Sequence, residues 1–257
     1  TFIGVMTANN ENGTIQPIAE ISALARERGI VFFTDAVQAA GALKLNVKEP
    51  TVDMLSFSGH KFYGPKGVGV LYVRSGVRVG KIITGGHQER SMRGGTTNVP
   101  GIVGLAEAFR LANEEMAQNN AHVSAIRDRF IARVLREIPY VKLNGHPKDR
   151  LPNNANFSFR YIEGESLLFS LDLAGIAVSS GSACSSGSLE PSHVLLATGL
   201  PEGLAHGSIR FSFGKENTAE QIDIAVEKLK EIVVRLRNLS PLFPKELKNE
   251  VYDKEIQ

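Results

Sequence analysis

Continuous apolar runs and helical spacings take turns along the first hundred residues. Phe2-Ile3-Gly4-Val5-Met6 predicts a buried strand, and Asn12-Gly13 the turn that follows it. Ile18, Ile21, Leu24 and Ala25 fall on one helical face. That spacing predicts a helix over 17–28, with Pro17 near its first turn and Gly29 closing it. Ile30 to Phe33, running into Thr34-Asp35, predicts a second strand; Val52 to Phe57 and Val68 to Val73 predict two more. Strands that alternate with helices and are apolar on both faces argue for a largely parallel sheet in an α/β domain.

The pattern changes at Pro100, which opens a long helical stretch over 101–138 with Ala, Glu and Arg on its polar side. Beyond Tyr140, short strands at Val141 to Leu143, Asn156 to Phe159 and Ile209 to Phe213 mix with helices at Glu165 to Leu173 and Ala219 to Arg237. Thr218 and Gln221 have the spacing of a capping box for the last helix. This predicts an α/β domain over 1–117 and a smaller α+β domain over 118–257, with a solvated tail after Pro241. No internal repeat stands out, and the low-complexity segment is Ser179 to Ser188. Residue 1 falls directly at a strand, as though the chain had been cut inside a larger domain.

Composition narrows the function classes. Among 257 residues, 29 Lys and Arg face 27 Asp and Glu, a net charge of +2 that gives no strong pull on nucleic acid or a membrane surface. No apolar run approaches the ~18 to 20 residues of a membrane-spanning helix. The one cysteine, Cys184, excludes an intrachain disulfide and a thiolate-clustered metal site. The N-terminal residues lack a basic leader, so a soluble, cytoplasmic protein is expected.

Five segments carry candidate chemistry. Ser58-Gly59-His60-Lys61-Phe62-Tyr63-Gly64-Pro65-Lys66-Gly67 lies between two apolar strands. A lysine directly after a buried strand is expected to be partly desolvated, which favours the neutral amine that Schiff-base chemistry needs. The plain alternative is a basic surface turn. Asp35 ends a strand, where ligands bind in parallel sheets; it suits a pyridinium nitrogen, or is a simple helix cap. Gln38 would share its side if a helical turn follows. Cys184 stands among small uncharged residues that cannot bury it, so it is a used thiol or a tolerated one. In Ser208 to Phe213 the alternation sets Arg210 apart from Ile209, Phe211 and Phe213, free to clamp a carboxylate or simply exposed at an edge. Gly85 to Arg90 and Arg93 to Thr97 offer glycine-rich backbone and hydroxyls suited to an anion. His122, His146, His193 and His206 show no ligand spacing.

Taken together, in order, these segments resemble the cysteine desulfurases of the class-V aminotransferase family of pyridoxal-phosphate enzymes. Ser58 to Gly67 is similar to their cofactor-lysine motif. Ser179-Ser180-Gly181-Ser182-Ala183-Cys184 is similar to the active-cysteine loop of the group-I, NifS/IscS-like branch, over 179–190 here. Met6 to Gly13, Phe33 to Gln38, Arg93 to Thr96 and His206 to Phe211 match as well, and the likeness runs from residue 1 to about Pro241.

The resemblance implies a fold-type-I enzyme. Residues 1–117 would be the C-terminal part of its large cofactor-binding domain, and residues 118–257 its small domain. It implies pyridoxal 5'-phosphate as cofactor, with Lys61 bonding it and shuttling the Cα proton. Asp35 would pair with the pyridinium nitrogen and Gln38 with the phenolic oxygen, while Ser58 and His60 would bind the phosphate. Asn10 would face the cofactor and, with Arg210, hold the substrate carboxylate. Thr96 would reach the phosphate of a neighbouring subunit, implying a homodimer. Cys184 would take sulfur from L-cysteine as a persulfide, leaving alanine, and pass it to an acceptor such as an iron–sulfur scaffold protein. The family's N-terminal portion, with a Gly/Thr phosphate turn and a ring-stacking histidine, would lie upstream of Thr1. Two rivals stand beside this reading: a sulfur-relay or scaffold module without cofactor, and another pyridoxal-phosphate transferase. The Cys184 loop argues against the second, because transamination needs no mobile thiol.

Overall fold

A computed structural model describes residues 1–49, 51–181 and 190–247. The chain forms two compact units: one of Thr1–Asn9 and Ile15–Gln118, the other of Asn10–Thr14 and Asn119 onward. The first unit holds β1 (Phe2–Met6), α1 (Ile18–Glu27), β2 (Val31–Asp35), β3 (Met54–Ser58) and β4 (Gly69–Val73). It also holds a short turn α2 (Gln88–Ser91) and the helix α3 (Val99–Glu114).

The four strands form a mixed, mostly parallel sheet in the order β1-β2-β3-β4. β1, β2 and β3 run parallel, and β4 returns antiparallel to β3. Residues 59–68 explain that reversal: a parallel crossover takes about a dozen residues or more, and this connection is shorter. Phe32, Val52, Leu55 and Ala25 form the core under α1. A second cluster sets Phe62 and Leu105 against Phe57 and Phe109, whose rings stack 5.1 Å apart. β1 is less buried in this chain than its apolar run predicts: Phe2 is 57% exposed.

The second unit contains β5 (Val141–Asn144), β6 (Asn154–Phe159), α5 (Gly164–Leu173), α6 (His193–Ala197), α7 (Glu202–Ala205), β7 (Ser208–Ser212) and α8 (Ala219–Leu239). Its sheet is antiparallel, in the order β5-β6-β7. The expected long helix is two: α3, and α4 (Met116–Glu137), which spans the division between the units. The break falls at Glu115, a αR-region C-cap whose N–H still bonds the Leu111 carbonyl.

Phe130 of α4 sits at the centre of this core, its ring 4.7 Å from Phe211 and 5.4 Å from Phe213. Leu167 and Leu171 of α5 and Val226 and Leu229 of α8 complete it. The capping box forms as expected: Gln221 N–H bonds the Thr218 hydroxyl, and Thr218 N–H bonds the Gln221 side chain. The segment after Pro241 is not wholly solvated. Phe243 is buried, edge-on to Tyr161 at 5.4 Å, with the Arg237 guanidinium over its ring. Among the described residues no helix is long and apolar enough to cross a membrane.

Candidate active site

β2 and β3 are parallel neighbours, with Asp35 in register with Ser56, so their carboxyl ends open side by side. Asp35 is the last residue of β2 and Ser58 the last of β3. Asp35 Oδ1 accepts the Val37 N–H at 2.8 Å, a local turn that fixes the carboxylate at the strand end. A helical turn does follow: Ala40 N–H bonds Ala36 C=O and Leu43 N–H bonds Ala39 C=O, with half-buried Gln38 inside it.

After β3 the chain tightens into a 3-10 turn, Gly59–Phe62. Residues three apart eclipse in such a turn, so Gly59 and Phe62 are buried together while His60 and Lys61 face outward. Lys61 is therefore exposed, not partly desolvated as expected from its place after a strand. Ser58 Oγ and His60 Nδ1 lie 2.8 Å apart, joined across the start of the turn. Tyr63 takes a left-handed φ of 66° to leave it. Gly64 N–H bonds back to Gly59 C=O at 3.0 Å, and a Cβ on Gly64 would stand 2.7 Å from that oxygen. The glycine of the motif is thus required by a close backbone approach.

Thr96 is exposed, after Gly94-Gly95, where Arg93 Nη1 donates to both glycine carbonyls at 3.1 and 3.3 Å. Ahead of it α2 departs from a normal helix: Glu89, Arg90 and Ser91 all have positive φ, at 50°, 56° and 66°. Left-handed backbone costs an L-residue roughly 1–2 kcal/mol. Ser91→Gly is therefore expected to raise the melting temperature by a few degrees, measured by thermal unfolding; an unchanged or lower value would show that the turn carries no strain there.

The second unit places Arg210 on β7 between Ile209 and Phe211, both buried. Its Nη1 donates to the Asn10 main-chain carbonyl at 2.9 Å. Its backbone pairs with Ser179 in both directions, at 2.7 and 3.2 Å. Asn10 and Arg210 thus meet within one unit, while Asp35, Gln38, Ser58, His60, Lys61 and Thr96 belong to the other. Cys184 lies outside the described residues.

Sequence reasoning passed over the polar set beneath Arg210. Glu11 is buried, and its main-chain carbonyl accepts from Asn154 and Asn156 Nδ2, each at 3.1 Å. Arg150, also buried, donates to the carbonyls of Asn144 at 2.5 Å and Asn12 at 3.2 Å. Burial pushes its guanidinium down to about 10. The signal for this set was weak: polar residues inside a predicted strand, at Asn154, Asn156 and Ser158. Of the histidines, His122 Nε2 bonds the Asn217 carbonyl at 2.9 Å and His146 Nδ1 accepts from Asp149 N–H at 2.7 Å.

Residues 1–224 match the family model for class-V aminotransferases, so the chain belongs to that family. Among curated proteins it is 55% identical over 245 residues to cysteine desulfurase IscS of Methanosarcina thermophila, covering 95% of this chain and 60% of the relative. A cysteine desulfurase IscS of Dictyoglomus turgidum is 53% identical over 240 residues, covering 93% and 61%. Among solved structures, a NifS-like protein from Rickettsia africae superposes with a TM-score of 0.84 at 32% identity, over 90% of this chain and 61% of that one. Another NifS-like protein gives 0.83 at 37% identity, over 91% and 61%. The chain spans about 60% of the length of the relatives it matches.

Proposed function

We propose that this chain is the larger part of a pyridoxal-phosphate-dependent cysteine desulfurase, converting L-cysteine to L-alanine with a persulfide formed on Cys184. One observation carries the reading. A carboxylate, a Ser–His pair and an accessible amine stand at the carboxyl ends of adjacent parallel strands. That donor set fits pyridoxal 5'-phosphate: Asp35 for the ring nitrogen, Gln38 for the phenolic oxygen, Ser58 and His60 for the phosphate, Lys61 for the aldehyde carbon; the family resemblance adds Asn10 as a further cofactor contact.

When bound, the cofactor supplies an electron sink that labilises the substrate's Cα proton and weakens its Cβ–S bond. Asp35 keeps the ring nitrogen protonated, and the Lys61 amine moves the Cα proton. Arg210 and Asn10 hold the substrate carboxylate; the guanidinium is a two-pronged donor whose Nη1 is already aimed by the Asn10 carbonyl. The Cys184 thiolate attacks substrate sulfur, the S–S bond forms as C–S breaks, and the electron pair goes to substrate carbon, which is protonated to alanine. The persulfide then goes to an acceptor such as an iron–sulfur scaffold protein in the cytoplasm.

A homodimer completes the proposal, with Thr96 reaching the phosphate bound by its partner. In the chain on either side of Thr96, Ile82, Ile83, Val99 and Val103 are exposed apolar side chains, the surface expected of an interface. Equimolar alanine and sulfide from L-cysteine, made by the full-length enzyme with reductant present, is the expected result; absence of both products from enzyme that binds the cofactor would reject the reading. Arg210→Ala leaves a substrate carboxylate without its charged partner, a loss of about 2 to 5 kcal/mol. Its KM for L-cysteine is expected to rise at least ~30-fold, and an unchanged KM and kcat/KM would show that the carboxylate binds elsewhere.

A further inference from the structure

Glu11 is a buried carboxylate with no role in the reaction proposed above, yet it bonds one described end of the segment that carries Cys184 and passes close to the other. On the far end, its Oε2 accepts the hydroxyl of Ser192. That same hydroxyl accepts the Leu195 N–H at 3.3 Å and so caps α6, which means one oxygen joins Glu11 to the start of a helix. On the near end lies Gly181, buried and left-handed at φ 64°, where a Cβ would come 3.4 Å from Glu11 Oε2. Two residues before it, Ser179 is pinned to Arg210 by a pair of backbone hydrogen bonds. Glu11 is itself fixed from below, because Asn154 and Asn156 of β6 both donate to its main-chain carbonyl. Its neighbour Asn10 receives the Arg210 guanidinium.

We infer that Glu11 is a positioning residue, whose carboxylate brackets the two stems of the Cys184 segment and ties them to the substrate-holding Arg210. The inference rests on the desulfurase reading. A buried carboxylate that accepts a hydroxyl proton makes a charge-assisted bond, stronger than one between neutral groups. Its amide isostere keeps the volume and loses that bond's strength. The Asn10–Glu11 peptide therefore carries two loads in adjacent residues: the Asn10 carbonyl aims the arginine, and the Glu11 side chain bonds Ser192, at a described end of the Cys184 segment.

The test uses Glu11→Gln and Ser192→Ala in the full-length, cofactor-loaded enzyme, so that a folding failure of one variant leaves the other. Three readouts separate positioning from bulk stability: the absorbance band of the lysine-bound cofactor, the single-turnover rate of persulfide formation on Cys184, and the alkylation rate of Cys184 by iodoacetamide without substrate. In both variants the band is expected unchanged. Persulfide formation is expected to slow at least ~10-fold, and the alkylation rate to change at least ~3-fold, the stems being released. Glu11→Asp, a shorter carboxylate, is expected to recover part of the persulfide rate. Wild-type persulfide and alkylation rates in folded Glu11→Gln or Ser192→Ala enzyme would overturn the inference. Failure of the desulfurase reading itself shows differently, as a wild-type enzyme in which Cys184 acquires no sulfur from L-cysteine.

Discussion

Cys184→Ser is expected to abolish sulfide release by the full-length enzyme while the cofactor's absorbance band stays in place. Serine is close in size to cysteine, but its oxygen cannot take substrate sulfur as a persulfide. The sulfur would then have no acceptor on the protein. The band should survive because its residues, Asp35, Ser58, His60 and Lys61, are built on β2, β3 and the 3-10 turn after β3. Within the described residues Asp35 is fixed by Val37 N–H and Ser58 by His60. Activity assays for sulfide and alanine, run beside an absorbance spectrum, check both halves. Full-rate sulfide release by the serine enzyme would remove Cys184 from the mechanism; loss of the band would mean that the thiol supports the cofactor site.

The second large effect belongs to Lys61. Borohydride reduction of the loaded enzyme followed by peptide mapping is expected to find the cofactor on Lys61 and none on Lys66. Lys61→Ala is expected to lose the band and more than ~10³-fold of activity, the combined loss of covalent attachment and of the proton-moving amine. The two lysines are separated by Phe62, Tyr63, Gly64 and Pro65, and both are exposed. What distinguishes them is the 3-10 turn. Lys61 leaves it beside the Ser58–His60 pair, whereas Lys66 lies beyond the Tyr63 reversal, on the way to β4. Label on Lys66 would sink the assignment.

Much of the fold was legible because local rules governed it. The capping box at Thr218 and Gln221 is a contact between neighbours, and the structure forms it bond for bond. The alternation through Ile209, Arg210 and Phe211 placed the arginine apart from the apolar core because a strand has a period of two. Where the outcome depended on the rest of the molecule, the pattern was silent. An apolar run such as Val68 to Val73 has no direction in it, so the reversal of β4 could come only from the length of the preceding connection. Glu115 is no helix breaker, and nothing in its neighbours announces the stop between α3 and α4. Phe243 reads as part of a charged tail, because the tyrosines it packs on, Tyr140 and Tyr161, are far away in sequence. The exposure of Lys61 depends on which two corners of a four-residue turn face the core. Glu11 escaped notice for the same reason: it reads as one polar residue in a polar loop, and its partners are Asn154, Asn156 and Ser192.

The path of the chain also sets an order of events during synthesis. Asn10 to Thr14 lie between β1 and α1 and emerge from the ribosome well before residue 119, yet belong to the unit built from residue 119 onward. Leu151 N–H bonds Gly13 C=O, and Asn156 reaches back to Glu11 across 145 residues. With translation at about 5–20 residues per second, the segment waits on the order of ten seconds for those partners to appear. Until then the carbonyls of Glu11 to Gly13 have only water to bond. The nascent chain must keep this short polar stretch open while the strands on either side of it are already competent to pair. Its sequence, Asn-Glu-Asn-Gly-Thr, is one that water tolerates well in the meantime.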